Sequence, residues 1–295
     1  MISFVATLSC LFLLSLLCFD KESGFDKDKM PILRAFMALV IILGHICTKV
    51  DITWLQQFRY WGAPFVSVFF FISGYGMASS KMLSFRGFVN KRVLKILFPY
   101  VVTVFLYYVL VRVPDKDYVL HIRETIASGT SRQHHLWFVF AILAQYIAFF
   151  FCWKLKDIHK RLCSLFATCF LLCVLLYSVG YGRHWYVSLL AFPSGAAFSV
   201  LKETVNKLCF RNRVSYLISF ALVMVFAALF YSIGVELLYS ISHIFIAFAV
   251  GLVVTQLPLG KLNKRAALFL GSISYEMYLC QVISMDFLRG SICFI

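Results

Sequence analysis

The sequence predicts an all-α protein: a polytopic bundle of about ten transmembrane helices forming a single domain over residues 1–295. Three observations predict it. Hydrophobic residues make up 62% of the chain and charged residues 14%, far less charge than a soluble domain of this length carries. The apolar residues fall in blocks of about 17 to 22, the length that spans a bilayer. The Lys and Arg residues gather in the short stretches between those blocks, unevenly from one stretch to the next.

This distribution also explains the net charge of +15. The basic residues mark loops rather than a continuous face, so nucleic acid is not the expected partner; the lipid bilayer is. The ten cysteines form no CxxC pair and show no metal-ligand spacing. Cys10, Cys152, Cys169 and Cys173 lie in or beside apolar blocks, where a free thiol behaves as a small hydrophobe. No metal is expected.

In order, the spans are expected near residues 2–19, 32–48, 64–80, 93–111, 136–153, 162–181, 184–201, 214–233, 236–257 and 268–288. The first is read as a retained helix. No Lys or Arg precedes it and no small-x-small site ends it, as a cleaved signal would require. The seventh holds Pro193, Ser194 and Gly195 and is expected to be broken or short. Basic residues follow the first span at Lys21, Lys27 and Lys29, which puts the N-terminus outside. Carried through the chain, this places about 19 basic residues in inside loops and about eight outside. The asymmetry favours a multi-pass protein of the plasma (inner) membrane with both termini outside. Segment 112–134, with Asp115, Asp117, His121 and Glu124, is then a long outer loop suited to a lid or an acceptor-binding role.

Five constellations stand out. The second span, ILRAFMALVIILGH, carries Arg34 and His45 eleven residues apart. At about 100° per residue they project from nearly one face, roughly 16 Å apart along the axis. Ionisable groups on one stripe of a membrane helix usually face a cavity or a partner. Arg34 is a candidate anion anchor and His45 a candidate base or acyl carrier. In the third span, FFFISGYGMASS places Ser73 and Tyr75 among small residues that permit close helix packing or line a cavity. Lys91 and Arg92, with Lys95, precede Phe98-Pro99-Tyr100 and form either a topology signal or a phosphate site. His134-His135-Leu136-Trp137-Phe138 stands at the outer mouth of the fifth span, where Trp137 fits an aromatic belt. Ser274-Tyr275-Glu276-Met277-Tyr278-Leu279 opens the last span, with Tyr275 able to hydrogen-bond inward. His243, alone in the ninth span, reads as a packed residue.

Taken in order, R-x10-H, FFFISGY, a basic pair before a Pro-Tyr step, HLWF and SYxxYL resemble the acyltransferase-3 family of integral membrane acyltransferases. The motifs are dense over about residues 30–140 and return at 268–281; the region between resembles the family in hydropathy alone. The resemblance implies that His45 is the catalytic histidine, Arg34 its essential partner, and Ser73 and Tyr75 part of the site lining. It implies that Arg92 and Lys91 lie near the acyl donor, with His135, Trp137 and Tyr275 lining the cavity. It also implies acetyl-CoA as donor and a sugar or polysaccharide hydroxyl as acceptor. Two positions depart from the pattern. Pro31 stands where relatives often carry an acidic residue, with Asp28 a turn earlier, and Gln281 stands where they often carry His. A lipid-linked-sugar transporter or flippase would share the spans and the polar interior, and a multi-span polysaccharide polymerase would want a larger Arg-rich outer loop.

Overall fold

The computed structural model describes residues 2–20, 30–47, 53, 56–82, 84–110, 123, 137–257 and 264–288. Each expected span coincides with a helical element, and no strand occurs among the described residues. The helices are α1 Ile2–Leu17, α2 Met30–Ile46, α3 Gly62–Ala78, α4 Phe85–Phe88, α5 Leu94–Leu110, α6 Trp137–Cys152 and α7 Ile158–Ser178. They continue with α8 Ala191–Val200, α9 Lys202–Cys209, α10 Arg213–Ser232, α11 Glu236–Gln256, α12 Lys264–Ser272 and α13 Ser274–Leu288. A 3-10 turn, Gln56–Tyr60, leads into α3, and a π turn, Val89–Val93, leads into α5.

Local chemistry sets many of the ends. Ser84, Asp157 and Asn212 cap α4, α7 and α10, each accepting a backbone N–H three residues on, at 3.2, 2.9 and 2.8 Å. Gly180 and Gly234, at φ 83° and 76°, follow α7 and α10 in the left-handed conformation that turns the chain away. The seventh span is short, as Pro193 suggested, but the proline does not break it. It occupies the first turn of α8, where its missing N–H costs no intrahelical bond. The last span, read from the sequence as one helix over 268–288, is divided at Ile273 between α12 and α13. Ser272 and Ser274 direct their hydroxyls back to the carbonyls of Phe269 and Gly271, at 2.7 and 3.0 Å, while the Ile273 N–H still reaches the Phe269 carbonyl at 3.2 Å.

Helices α7, α10 and α11 are long and apolar enough to cross a membrane; α2, α3 and α6 are apolar but shorter. Large apolar side chains cover the outside of the bundle. Phe105 of α5, Leu171 of α7 and Val225 of α10 are 65%, 65% and 55% exposed. Water would penalise such faces, whereas bilayer hydrocarbon matches them. The protein is an integral membrane protein.

The tightest contact joins α3 to α8. A Cβ at Gly74 would coincide with the Phe192 carbonyl, and one at Gly195 with the Phe71 carbonyl. The two glycines let the backbones touch reciprocally, as small residues do in membrane bundles. Helix α3 also packs on α2 and α11, and α12 lies against α2, with Gly271 on the Pro31 carbonyl. Gly195→Ala must push α8 off α3. It should cost about 1–3 kcal/mol and lower the melting temperature in detergent; an unchanged melting temperature would show that the contact is not required.

Candidate active site

Helix α2 buries Leu33, Met37, Val40 and Ile41 against the bundle. Arg34 sits beside this face and remains accessible, with Tyr146 of α6 and Arg92 of the π turn as its polar and charged neighbours. Tyr146 is hydrogen-bonded to Ser73 of α3. Arg92 donates from Nη2 to the Ser80 hydroxyl at 2.9 Å, and Ser80 is tied in turn to the Gly76 carbonyl. A π turn inserts one extra residue per loop of helix, and here it turns Arg92 inward while leaving Lys91 exposed.

Tyr275 enters from α13. Its hydroxyl donates to the Ile96 carbonyl of α5 at 3.0 Å, three residues before Pro99. It lies close enough to Tyr100 and Tyr146 to sense both. The fold therefore gathers Arg34, Ser73, Arg92, Tyr146 and Tyr275 from five separate segments of chain.

His45 stands at the far end of the same helix, half-buried. No proline interrupts α2 between Ile32 and His45, so the roughly 16 Å rise from Arg34 holds. The 56–60 turn closes over that end. The Phe58 carbonyl lies 3.2 Å from a Cβ built at Gly44, and Gln56 Nε2 donates to the Cys47 carbonyl at 3.1 Å.

The other candidates lie elsewhere. Tyr75 is buried and packs on Phe198 of α8, with ring centroids 6.0 Å apart. Trp137 begins α6 inside an aromatic cluster, 5.5 Å from His184 and 6.1 Å from Trp185. His135, Asp28 and the 112–134 segment, apart from Arg123, fall outside the described residues. His243 is fully buried; its Nδ1 lies 3.2 Å from the Tyr239 carbonyl, and its Nε2 has no hydrogen-bond partner among the described residues.

Two features had no place in the sequence reading. Tyr146 is one; its only signal is the polar pair Gln145-Tyr146 in an apolar run, and Gln145 is used to hold the Leu189 carbonyl at 2.8 Å. The other is a clamp between the 179–186 loop and α11. Arg183 binds Glu236 through Nε (2.8 Å) and Nη2, Tyr186 donates to the same carboxylate at 3.3 Å, and the guanidinium lies over Tyr239 at 4.8 Å. The carboxylate raises the Arg183 pKa above the ordinary arginine value.

Arg34 and Arg92 have no such relief. Among the described residues neither makes an ion pair with a carboxylate, and each repels the other. Two cations converging in an apolar bundle form a site that an anion would neutralise.

An acyltransferase domain, that of the acyltransferase-3 family model, matches residues 28–294, which takes in every element of this site. The chain belongs to the acyltransferase-3 family. No curated protein and no solved structure matches it. The protein is thus a membrane acyltransferase, and α1 lies before the matched segment.

Two like charges held near each other are expected to cost stability unless a ligand neutralises them. Arg34→Met removes one of them and should leave stability in detergent unchanged or raise it slightly, with acyl transfer lost. A lowered melting temperature would mean that the Arg34 charge supports the fold instead.

Proposed function

We propose that this acyltransferase moves an acetyl, or a similarly short acyl group, from cytoplasmic acyl-CoA to a hydroxyl of an extracytoplasmic or lipid-linked sugar. The observation that carries the reading is the convergence of Arg34 and Arg92 at one end of α2, the helix whose other end bears His45. The bias of Lys and Arg between alternate loops supports an orientation with the Arg34 end inside and His45 toward the outside.

The phosphates of the donor suit the paired guanidiniums, since arginine binds phosphate through two parallel N–H bonds. Ser73 and Tyr146 lie beside the guanidiniums, and Tyr275 backs Tyr146. A sugar hydroxyl is a weak nucleophile near neutral pH. His45 accepts its proton as the oxygen attacks the acyl carbonyl carbon. The new C–O ester bond forms, the C–S thioester bond breaks, and the departing sulfur takes the proton back from the imidazolium. In the covalent version a His45 ring nitrogen attacks first, the C–S bond breaks and CoA leaves as the thiol with the ring proton; the hydroxyl oxygen then attacks the acyl-imidazole, the C–N bond breaks, and the hydroxyl proton returns to the ring.

Labelled acetyl transfer from acetyl-CoA, in membranes expressing this chain, tests the assignment. Label should enter a sugar-containing product and fall by about 100-fold or more in His45→Ala at equal expression. Label retained in His45→Ala would remove His45 from the mechanism. In single-turnover quench, acyl enzyme in wild type but not in His45→Gln marks the covalent route; no trapped acyl enzyme, with rates requiring both substrates together, marks direct attack.

A further inference from the structure

Helix α1 lies outside the family segment, yet it is fastened to the bundle at both ends. At its start, the Trp61 indole donates to the Ser3 hydroxyl at 3.2 Å, which reaches the Gln57 carbonyl at 3.2 Å. Just past its end, the Asp20 N–H donates to Gln256 Oε1 of α11 at 2.9 Å. Between these points Phe4, Leu8 and Phe12 are buried in one stripe. Phe12 stacks on Phe220, and the Ser15 and Tyr216 hydroxyls lie 2.7 Å apart. The α1 helix is therefore held on α10 and α11 and cannot close down on α2.

A cleft remains between α1 and α2. Thr7 and Leu11 form one wall, Ile32 and Phe36 the other, and Val250 and Val254 of α11 the floor. Its volume is about 260 Å³ and its wall presents no polar surface. Phe4, Trp61 and Phe65 bound it as a cluster of rings, with Phe4 5.7 Å from Trp61 and 5.8 Å from Phe65. The cleft is separate from the arginine site: Ile32 and Phe36 lie about 160° around α2 from Arg34.

We propose that this cleft is a binding site for one hydrocarbon chain of a membrane lipid. An apolar cavity of this size stays dry and takes up apolar guests. At roughly 30 Å³ per small group it holds about nine methylenes. The helices around it lie in bilayer hydrocarbon, so the molecules able to reach it are lipid chains. Because α1 is pinned at both ends, the cleft is a fixed groove and not a gap that side chains can fill. The chain would complete the packing between α1 and the family domain.

The test is photolabelling of the full-length protein, in bilayers of a phosphatidylcholine bearing a diazirine near the end of one acyl chain. Adducts should concentrate several-fold on the Thr7–Leu11, Ile32–Phe36 and Val250–Val254 segments, relative to Leu171 and Leu175, which face lipid on α7. Leu11→Trp, which fills the cleft, should remove those adducts and spare the α7 ones. Val254→Phe fills it from the floor and serves as the second variant should Leu11→Trp fail to fold. Cleft labelling no stronger than that of α7, or unchanged by either folded variant, would overturn the proposal and leave only general lipid contact. The readout is independent of acyl transfer, so it stands apart from the assignment of substrate.

Discussion

Backbone contact between α3 and α8 is the constraint on which the rest of this bundle depends. Lipid offers helices little hydrophobic reason to associate, so close packing must supply the attraction. Gly74 and Gly195 supply it by giving up their side chains to facing carbonyls. That choice fixes the rotation of α3. With Gly74 turned to α8, Tyr75 goes to Phe198 on the same side, and Ser73 comes round to Tyr146 of α6. One sequence step therefore separates the packing contact from the polar site. A displacement of α3 large enough to admit a side chain at position 74 would carry Ser73 off Tyr146.

The second constraint is electrostatic. Charged groups inside a membrane protein must be paired, hydrated or used. Arg183 is paired, with Glu236, at the edge of the bundle. Arg34 and Arg92 are drawn together by α2 and the π turn, with hydroxyls for neighbours. Hydroxyls solvate a guanidinium only weakly, and they leave its charge uncompensated. A packing rationale would replace either arginine with an apolar residue at no loss. The pair makes physical sense as a receptor for negative charge, which is the property the proposed donor has in abundance.

Much of this was legible in the sequence, because its strongest signals are one-dimensional. Span length fixed the positions of the helices. The eleven-residue spacing of Arg34 and His45 survives folding because α2 is continuous. What the sequence hid depends on geometry between segments. Tyr146 looks like any aromatic in an apolar run until α6 is set beside Ser73. Glycines in the third span were ambiguous between packing and cavity, and the structure divides the motif, giving Gly74 to packing and Ser73 to the site. The break at Ile273 was hidden as well: serine is tolerated in a helix, and the bend shows only in the backbone.

That break has a consequence for the site. Gly271 presses against Pro31 at the start of α2, so α12 is committed to α2. A straight continuation would hold the last helix to the course that contact sets. After the bend at Ile273, α13 stays on α2 and also meets α5, where Tyr275 reaches Ile96. Helix α2 is thereby packed by α12 and α13 as well as by α3, while its His45 end is covered by the 56–60 turn. The two ends are separated by roughly 16 Å, about half of the ~30 Å hydrocarbon core. In the proposed reading, a donor anchored by its phosphates at Arg34 must extend a slender arm over that distance to present its thioester at His45. A compact acyl donor would satisfy one end or the other. Within that reading, the rise from Arg34 to His45 along α2 suits a donor whose charged and reactive groups are far apart, as they are in acyl-CoA.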